Sequence, residues 1–320
     1  MTSLLIATAV AAAVSAYADT VVDVRPDAKL WLRNLRGSVQ VSTWGKNAVR
    51  IQVPSSTRAR LRIAQRAGAL SIEPEYGHPH SMEAARYVIT VPTWMDVALV
   101  SPEASARVRG LKGDLIVRTV NGEVEVTDNQ GSVSVSSVQG PIRVAHARGR
   151  LDLSTVNGPI TLDDVTGSVN AETVNGPIEL ARVIADSVEA STLNGFVRFD
   201  GHFLNRGWYH FATHNGDIAV DLPKEPDAQV FVATYGGQFS SDFPVSAPRA
   251  RHGRGLHFTL GDGKAMLQLE SFTGRIRLLR EAGGRRTPQT PPVFEWREFG
   301  QANSPPNPPN SPDDDHEEDK

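Results

Sequence analysis

Between Gly113 and Phe203 the hydrophobic positions recur every nine residues, as in Gly113-Asp-Leu-Ile-Val-Arg-Thr-Val-Asn121 and Gly149-Arg-Leu-Asp-Leu-Ser-Thr-Val-Asn157. Unit position three is Leu115, Val124, Val133, Ile142, Leu151, Ile160, Val169 and Ile178. Position five is Val117, Val126, Val135, Val144, Leu153, Leu162, Ala171 and Leu180. These two positions share one face of a strand. Position eight is Val120, Asn129, Val138, Ala147, Val156, Val165, Val174 and Val183, mostly apolar but out of phase with the others. A straight strand cannot bury all three, so the chain is expected to bend near positions six and seven and to turn every position eight inward. Repetition at a short fixed period is the mark of a stacked array in which each unit buries its apolar face on its neighbours. A one-residue insertion falls in the unit Ala185 to Asn194.

Alternate units differ at their corners, which makes the full coil 18 residues. One corner carries Asn121, Gln139, Asn157, Asn175, Asn194 and Asn215, each followed by glycine. Asn-Gly favours the positive φ of a tight turn, though it is also a hairpin signal. The other corner carries Gln130, Arg148, Thr166 and Ile184. Beside the amides runs a column of hydroxyls: Thr119, Ser137, Thr155, Thr173, Thr192 and Thr213. In parallel coils about 4.8 Å apart these would stack as ladders. The same register would pair Glu125 with Arg143 and Glu179 with Arg198. The pattern predicts an all-β, right-handed parallel β-solenoid, or β-helix. An antiparallel meander accounts for none of these columns.

The flanks are less regular. Period-two alternation predicts strands at Thr20–Val24, Gly37–Val41, Ala48–Val53 and Tyr87–Val91. Ala59 to Gly68 has a weak helical pattern, but its neighbours favour β structure. Beyond Gly216 the corner recurs at Thr234-Tyr-Gly-Gly237 and Ser271-Phe-Thr-Gly274 among larger aromatic residues, as expected of a capped end. From Gly283 Pro, Asn, Asp and Glu dominate, a composition that cannot bury a core. Within it, the apolar Val293-Phe-Glu-Trp296 is expected to dock back on the body.

Composition narrows the chemistry. There is no cysteine, which removes disulfides, thiolate metal sites and a cysteine nucleophile. Leu4 to Val14 is a short apolar run before Ala16-Tyr17-Ala18, the form of an export leader cut before Asp19, although Met1-Thr2-Ser3 lacks a basic residue. The run is too short to span a bilayer. The expected division is a leader at 1–18, a solenoid at 19–281 and a disordered acidic tail at 282–320. The last eight residues hold six acidic groups and one lysine, net −5; since the whole chain carries −3, the remainder is +2.

Trp44-Gly-Lys-Asn-Ala-Val49, then Val91-Pro92, then the reiterated Thr-Val-Asn-Gly-x-Ile together resemble the DUF4097 family of bacterial adhesin-like proteins, over roughly residues 20 to 280. The resemblance implies an exported β-solenoid with no defined enzymatic activity.

The residues themselves supply little catalytic chemistry. Calcium-binding nonapeptide rolls need further glycines and a regular aspartate in each unit, whereas Asp152, Asp163 and Asp200 are scattered. His78 with His80, and His210 with His214, lack an obvious third metal ligand. Glycoside hydrolysis needs two carboxylates facing across a cleft, and adjacent Asp163 and Asp164 would point to opposite faces of a strand. The hydroxyl column lacks the second threonine column of ice-binding solenoids. Arg249, Arg251, Arg254, Arg275 and Arg277 are candidate contacts for a polyanion. Neither cofactor nor metal is expected. The expected function is non-catalytic binding of a protein or polysaccharide of the cell envelope, without nucleic acid and without a membrane span once the leader is cut. A carbohydrate-active enzyme on a β-helix, or a structural or signalling envelope component, remain the alternatives.

Overall fold

The computed structural model describes residues 13–16, 19–34, 36–53, 61–66, 68–74, 84–245, 255–280 and 293–295. The fold is all-β and β-solenoid-like. The N-terminal part supplies β1 (Ala13–Ala16), β2 (Asp19–Asp23), β3 (Lys29–Arg33), β4 (Arg36–Trp44), β5 (Ala48–Gln52), β6 (Leu61–Arg66), β7 (Ala69–Pro74) and β8 (Ala85–Pro92). The repeats supply β9 (Asp96–Ser101), β10 (Glu103–Arg109), β11 (Leu115–Thr119), β12 (Val124–Thr127), β13 (Val133–Ser136), β14 (Ile142–Asn157), β15 (Ile160–Asn175), β16 (Ile178–Asn194) and β17 (Val197–Asn215). The C-terminal part supplies β18 (Ile218–Leu222), β19 (Ala228–Thr234), β20 (Gln238–Ser241), β21 (Gly255–Leu260), β22 (Ala265–Ser271), β23 (Ile276–Arg280) and β24 (Val293–Glu295). The weakly helical stretch is thus strand over Leu61–Arg66, as β6, and a turn at Gly68.

Parallel, in-register stacking places Ile142 beside Ile160 and Ile160 beside Ile178, one coil every 18 residues. The inserted residue appears where Gly167 pairs Ala185 and Ser168 pairs Ser187, leaving Asp186 out of the ladder. Positions three and five point inward all along the block, and Ile160, Leu162, Val169 and Ala171 are buried. Each buried Leu, Ile or Val stabilises by about 1.5–3 kcal/mol, and all of them draw on one continuous core.

Position eight behaves otherwise than expected. In alternate units Asn129, Ala147, Val165 and Val183 turn inward and are at most 1% exposed. Their predecessors Asp128, His146, Asp164 and Arg182 have φ of 53–56°, and this left-handed residue shifts the alternation by one. The other corner has no such residue, so alternation continues and brings position seven inward. Thr119, Ser137, Thr155, Thr173 and Thr192 are buried, while Val120, Val138, Val156 and Val174 are exposed. The left-handed turn also overturns the expectation for Asp163 and Asp164: both lie outside the core, between buried Leu162 and Val165.

The glycines after the amides serve spacing more than turn geometry. Only Gly122 and Gly140 among them are left-handed. At Gly122, Gly140, Gly158, Gly176, Gly195 and Gly216, an added Cβ would sit 1.9–2.3 Å from a carbonyl oxygen of the preceding coil. A side chain there would force the coils apart.

Both ends depart from sequential order. The β3–β4 coil lies between β7–β8 and β9–β10, because β3 pairs with β7 and β9 while β4 pairs with β8 and β10. At the far end β22 pairs with both β17 and β19, and β23 with both β18 and β20. The 265–280 coil is therefore inserted before the coil that precedes it in sequence. Antiparallel strands then close each edge. At one end β5 lies on β8, β2 on β5, β6 on β7 and β1 on β6. At the other, β21 lies on β19 and β24 on β20. Val293–Glu295 thus docks on the body, as its apolar pattern suggested. Reversing direction ends the parallel array and protects it from adding another chain.

Candidate functional site

The amide corner is the most regular surface of the molecule. Three columns build it. Innermost are the hydroxyls: Thr173, Thr192 and Thr213 donate to the carbonyls of Gly158, Gly176 and Gly195 at 3.1, 3.0 and 2.9 Å. Ser271 extends this pattern to Gly216 at 3.0 Å. The hydroxyls of Thr119, Ser137 and Thr155 make no hydrogen bond among the described residues. From Thr173 onward the column therefore ties each coil to the glycine corner of its neighbour instead of bonding hydroxyl to hydroxyl.

Outside it runs the amide column. Asn175 donates to Asn157, Asn194 to Asn175 and Asn215 to Asn194, at 2.8, 2.8 and 2.9 Å. Thr273 meets Asn215 at 3.3 Å. Asn121, Gln139 and Asn157 stand in the same register through backbone bridges. An amide spends one N–H and one lone pair in such a chain and keeps one N–H and one lone pair for solvent or a ligand.

Between these columns lies an exposed apolar stripe: Val120, Val138, Val156, Val174 and Leu193, each 38–47% exposed. It continues through the rearranged end, since Thr213 pairs with Ser271 and Ser271 with Thr234, aligning His214, Phe272 and Tyr235. Their rings stack, His214 on Phe272 at 4.6 Å and 11°, and Tyr235 on Phe272 at 5.1 Å and 24°. A signal for this run is present in the sequence, as each ring follows a Thr or Ser of the hydroxyl column. Only the swapped coil order shows that they touch. Beyond the glycines, Glu123, Pro141, Pro159, Pro177, the exposed Phe196, Asp217 and Arg275 occupy one further column, so only in mid-stack do the amides have apolar surface on both sides.

Of the five predicted basic residues, Arg275 and Arg277 are among the described ones. Arg249, Arg251 and Arg254 lie outside the described residues. Arg275 and Arg277 flank Ile276 at the start of β23, and both face Asp217, at 3.3 and 3.7 Å. The predicted rung pairs do not form as drawn. Glu125 is bonded by Arg107 at 3.0 Å, Arg143 reaches Glu123, and Arg198 meets the buried Asp221 at 3.0 Å. Glu125 and Arg143 are register neighbours as expected, yet Glu125 takes Arg107 from the preceding coil and Arg143 takes Glu123, two residues before Glu125.

No group of three or more His, Asp or Glu among the described residues is placed to hold a metal. His78 and His80 lie outside those residues. His210 sits between Glu189 and Glu270, at 3.6 and 4.0 Å, while His214 belongs to the aromatic stack. Asp152 accepts a hydrogen bond from Asn170, and Asp163 is paired with Arg182. Burial pushes the Tyr209 phenol up from its ordinary value; its hydroxyl donates to Ala185 and accepts from the Leu204 amide. Asp19 and Asp227 are held below the usual carboxylate range by hydrogen bonds from Arg50 and Lys264. Among the described residues no helix is long and apolar enough to cross a membrane.

The Toastrack DUF4097 family model matches residues 28–257. The chain belongs to the Toastrack DUF4097 family. The Toastrack match ends before β22, although β22 and β23 fill a coil within the stack. Solved structures with a similar chain course include a "putative adhesin" from Parabacteroides distasonis at 10% identity and TM-score 0.45, covering 82% of this chain and 96% of that one. Another is a "putative adhesin" from Bacteroides fragilis at 11% identity and TM-score 0.35, covering 82% and 96%. A "putative lipid binding protein" from Parabacteroides distasonis aligns at 8% identity and TM-score 0.30, covering 81% and 95%. No curated protein matches the chain.

Proposed function

We propose that this Toastrack protein is a non-catalytic, adhesin-like module, exported to the periplasm or cell surface, that holds a protein or polysaccharide of the bacterial envelope. The observation that carries this reading is the exposed stripe from Val120 to Tyr235, kept in register across the stack beside the amide column. An apolar stripe of this length on a soluble face marks an interaction surface. Asp152 is bonded by Asn170 and Asp163 is paired with Arg182.

Export rests on the leader pattern. Cleavage before Asp19 would remove β1 and open the outer edge of β6. N-terminal sequencing of protein secreted by a bacterial host tests it: a start at Asp19 supports export, and an intact Met1 in the soluble cell fraction contradicts it.

Binding is tested by incubating the purified protein with isolated bacterial envelopes at low and high salt. Saturable capture supports the module, and loss of capture in high salt would bring in Arg275, Arg277 and the neighbouring basic residues. Absence of capture under both conditions would refute it.

A further inference from the structure

We propose that the amide corner is a track for a neutral, extended polysaccharide strand, with sugar rings lying along the stripe from Val120 to Tyr235 and sugar hydroxyls bonded to the asparagine amides. The proposal deepens the binding reading above and rests on it.

The chemistry comes from three features of the corner. The stripe presents eight side chains on successive coils, Val120, Val138, Val156, Val174, Leu193, His214, Phe272 and Tyr235. Seven steps of about 4.8 Å make a straight track of roughly 34 Å. Sugars offer C–H faces to apolar and aromatic surfaces, and the Phe272 and Tyr235 rings, 44% and 60% exposed, are the largest such surfaces on the track. The amide column supplies outward donors and acceptors at the same repeat, which suits hydroxyl groups that both give and accept.

Charge selects among polymers. From Val120 to Tyr235 the stripe is uncharged with His214 neutral, and so is the column Asn121, Gln139, Asn157, Asn175, Asn194, Asn215 and Thr273. The columns flanking the track mix signs, Arg118, Glu172 and Glu270 on one side and Glu123, Asp217 and Arg275 on the other, so no continuous run of one charge lies along it for a polyanion or a polycation to follow. A polypeptide strand would need an open edge for its backbone, but the amides at this corner already bond between coils, as Gly158 does to Asn175 and Gly176 to Asn194.

The test is affinity gel electrophoresis of the full chain in hydroxyethylcellulose, in glucomannan and in alginate. At least one neutral glycan should retard the protein, and the acidic alginate should not. Phe272→Ala and Tyr235→Ala should each weaken binding roughly tenfold, Phe272→Tyr should keep it, and Arg148→Ala on the opposite corner should leave it unchanged. Melting curves like that of the unsubstituted chain show that the variants fold. Should an aromatic variant not fold, Val156→Ser, an exposed change in mid-track, must weaken retardation instead. Retardation by alginate alone, or retardation that survives all these track substitutions, overturns the proposal. So does a dimer in sedimentation that Phe272→Ala dissolves, because the stripe would then join two copies. Envelope capture without any glycan retardation sinks the track and leaves the binding module standing; absence of both sinks both.

Discussion

Replacing Gly176 with alanine isolates the force that sets coil spacing. The new Cβ would stand 2.2 Å from the Gly158 carbonyl oxygen, whereas ordinary contact begins near 3.4 Å, so this corner must open by about 1.2 Å. Gly176 is not left-handed, so the cost is contact alone and not backbone strain. Four hydrogen bonds cross the gap: Gly158 N–H to Asn175 O at 3.1 Å, Ile160 N–H to Pro177 O at 3.0 Å, Asn175 to Asn157 at 2.8 Å and Thr173 to Gly158 O at 3.1 Å. Losing about three of them at roughly 0.5–1.5 kcal/mol each costs about 1.5–4.5 kcal/mol. Alanine recovers about 0.4–1 kcal/mol by stiffening the unfolded chain. The net expectation is about 0.5–4 kcal/mol of destabilisation in urea unfolding followed by circular dichroism. Gly45 is the control, since a Cβ there meets nothing within 4 Å; Gly45→Ala should be neutral or stabilise by up to about 1 kcal/mol. Equal stability of the two variants would refute steric spacing by the glycine column.

Leu153→Asp places an unpaired charge in a core shared by successive coils, so amide-exchange protection should fall together from Val133 to Leu180, not in one coil only. Tyr209→Phe leaves the Ala185 carbonyl and the Leu204 amide without their buried partner and should cost about 1–3 kcal/mol, with faster exchange around 203–208 and little change in β12–β13. Acid should loosen the ends first. The carboxyls of Asp19 and Asp227 titrate lower in the folded chain than their ordinary 3.8, so their contribution is complete above that value and is lost as pH falls through the folded pKa. Exchange at β2–β5 and at the Asp227–Lys264 contact should rise below pH 3.8, and Asp19→Asn with Asp227→Asn should flatten that response.

The repeat block was legible in the sequence because position, burial and register there follow one short period. Ile142, Ile160 and Ile178 could be stacked by counting, and even the odd residue near Asp186 was visible as an insertion. The phase at position eight was not. It depends on Asp128, His146, Asp164 and Arg182 taking left-handed φ; Asp and His favour that region but Arg does not, and no glycine or asparagine marks the column. Without that shift, Val120 and Val165 look equivalent, although one is exposed and the other buried. The swapped coils at both ends were hidden for a different reason: the sequence shows that Leu267–Gly274 is a coil, but not which neighbours it pairs with. The aromatic stack was lost with them, since His214, Phe272 and Tyr235 are brought together only by that order. For the basic candidates, a linear cluster of arginines carries no information about the aspartate that Arg275 and Arg277 meet in space.

The most direct measurement is envelope capture of the unsubstituted protein against the Phe272→Ala/Tyr235→Ala double variant, both shown to melt alike. A corner that holds the partner predicts saturable capture that weakens at least about tenfold in the double variant and is unchanged in Arg148→Ala. Equal capture by all three proteins would contradict it and move the binding surface away from the amide corner.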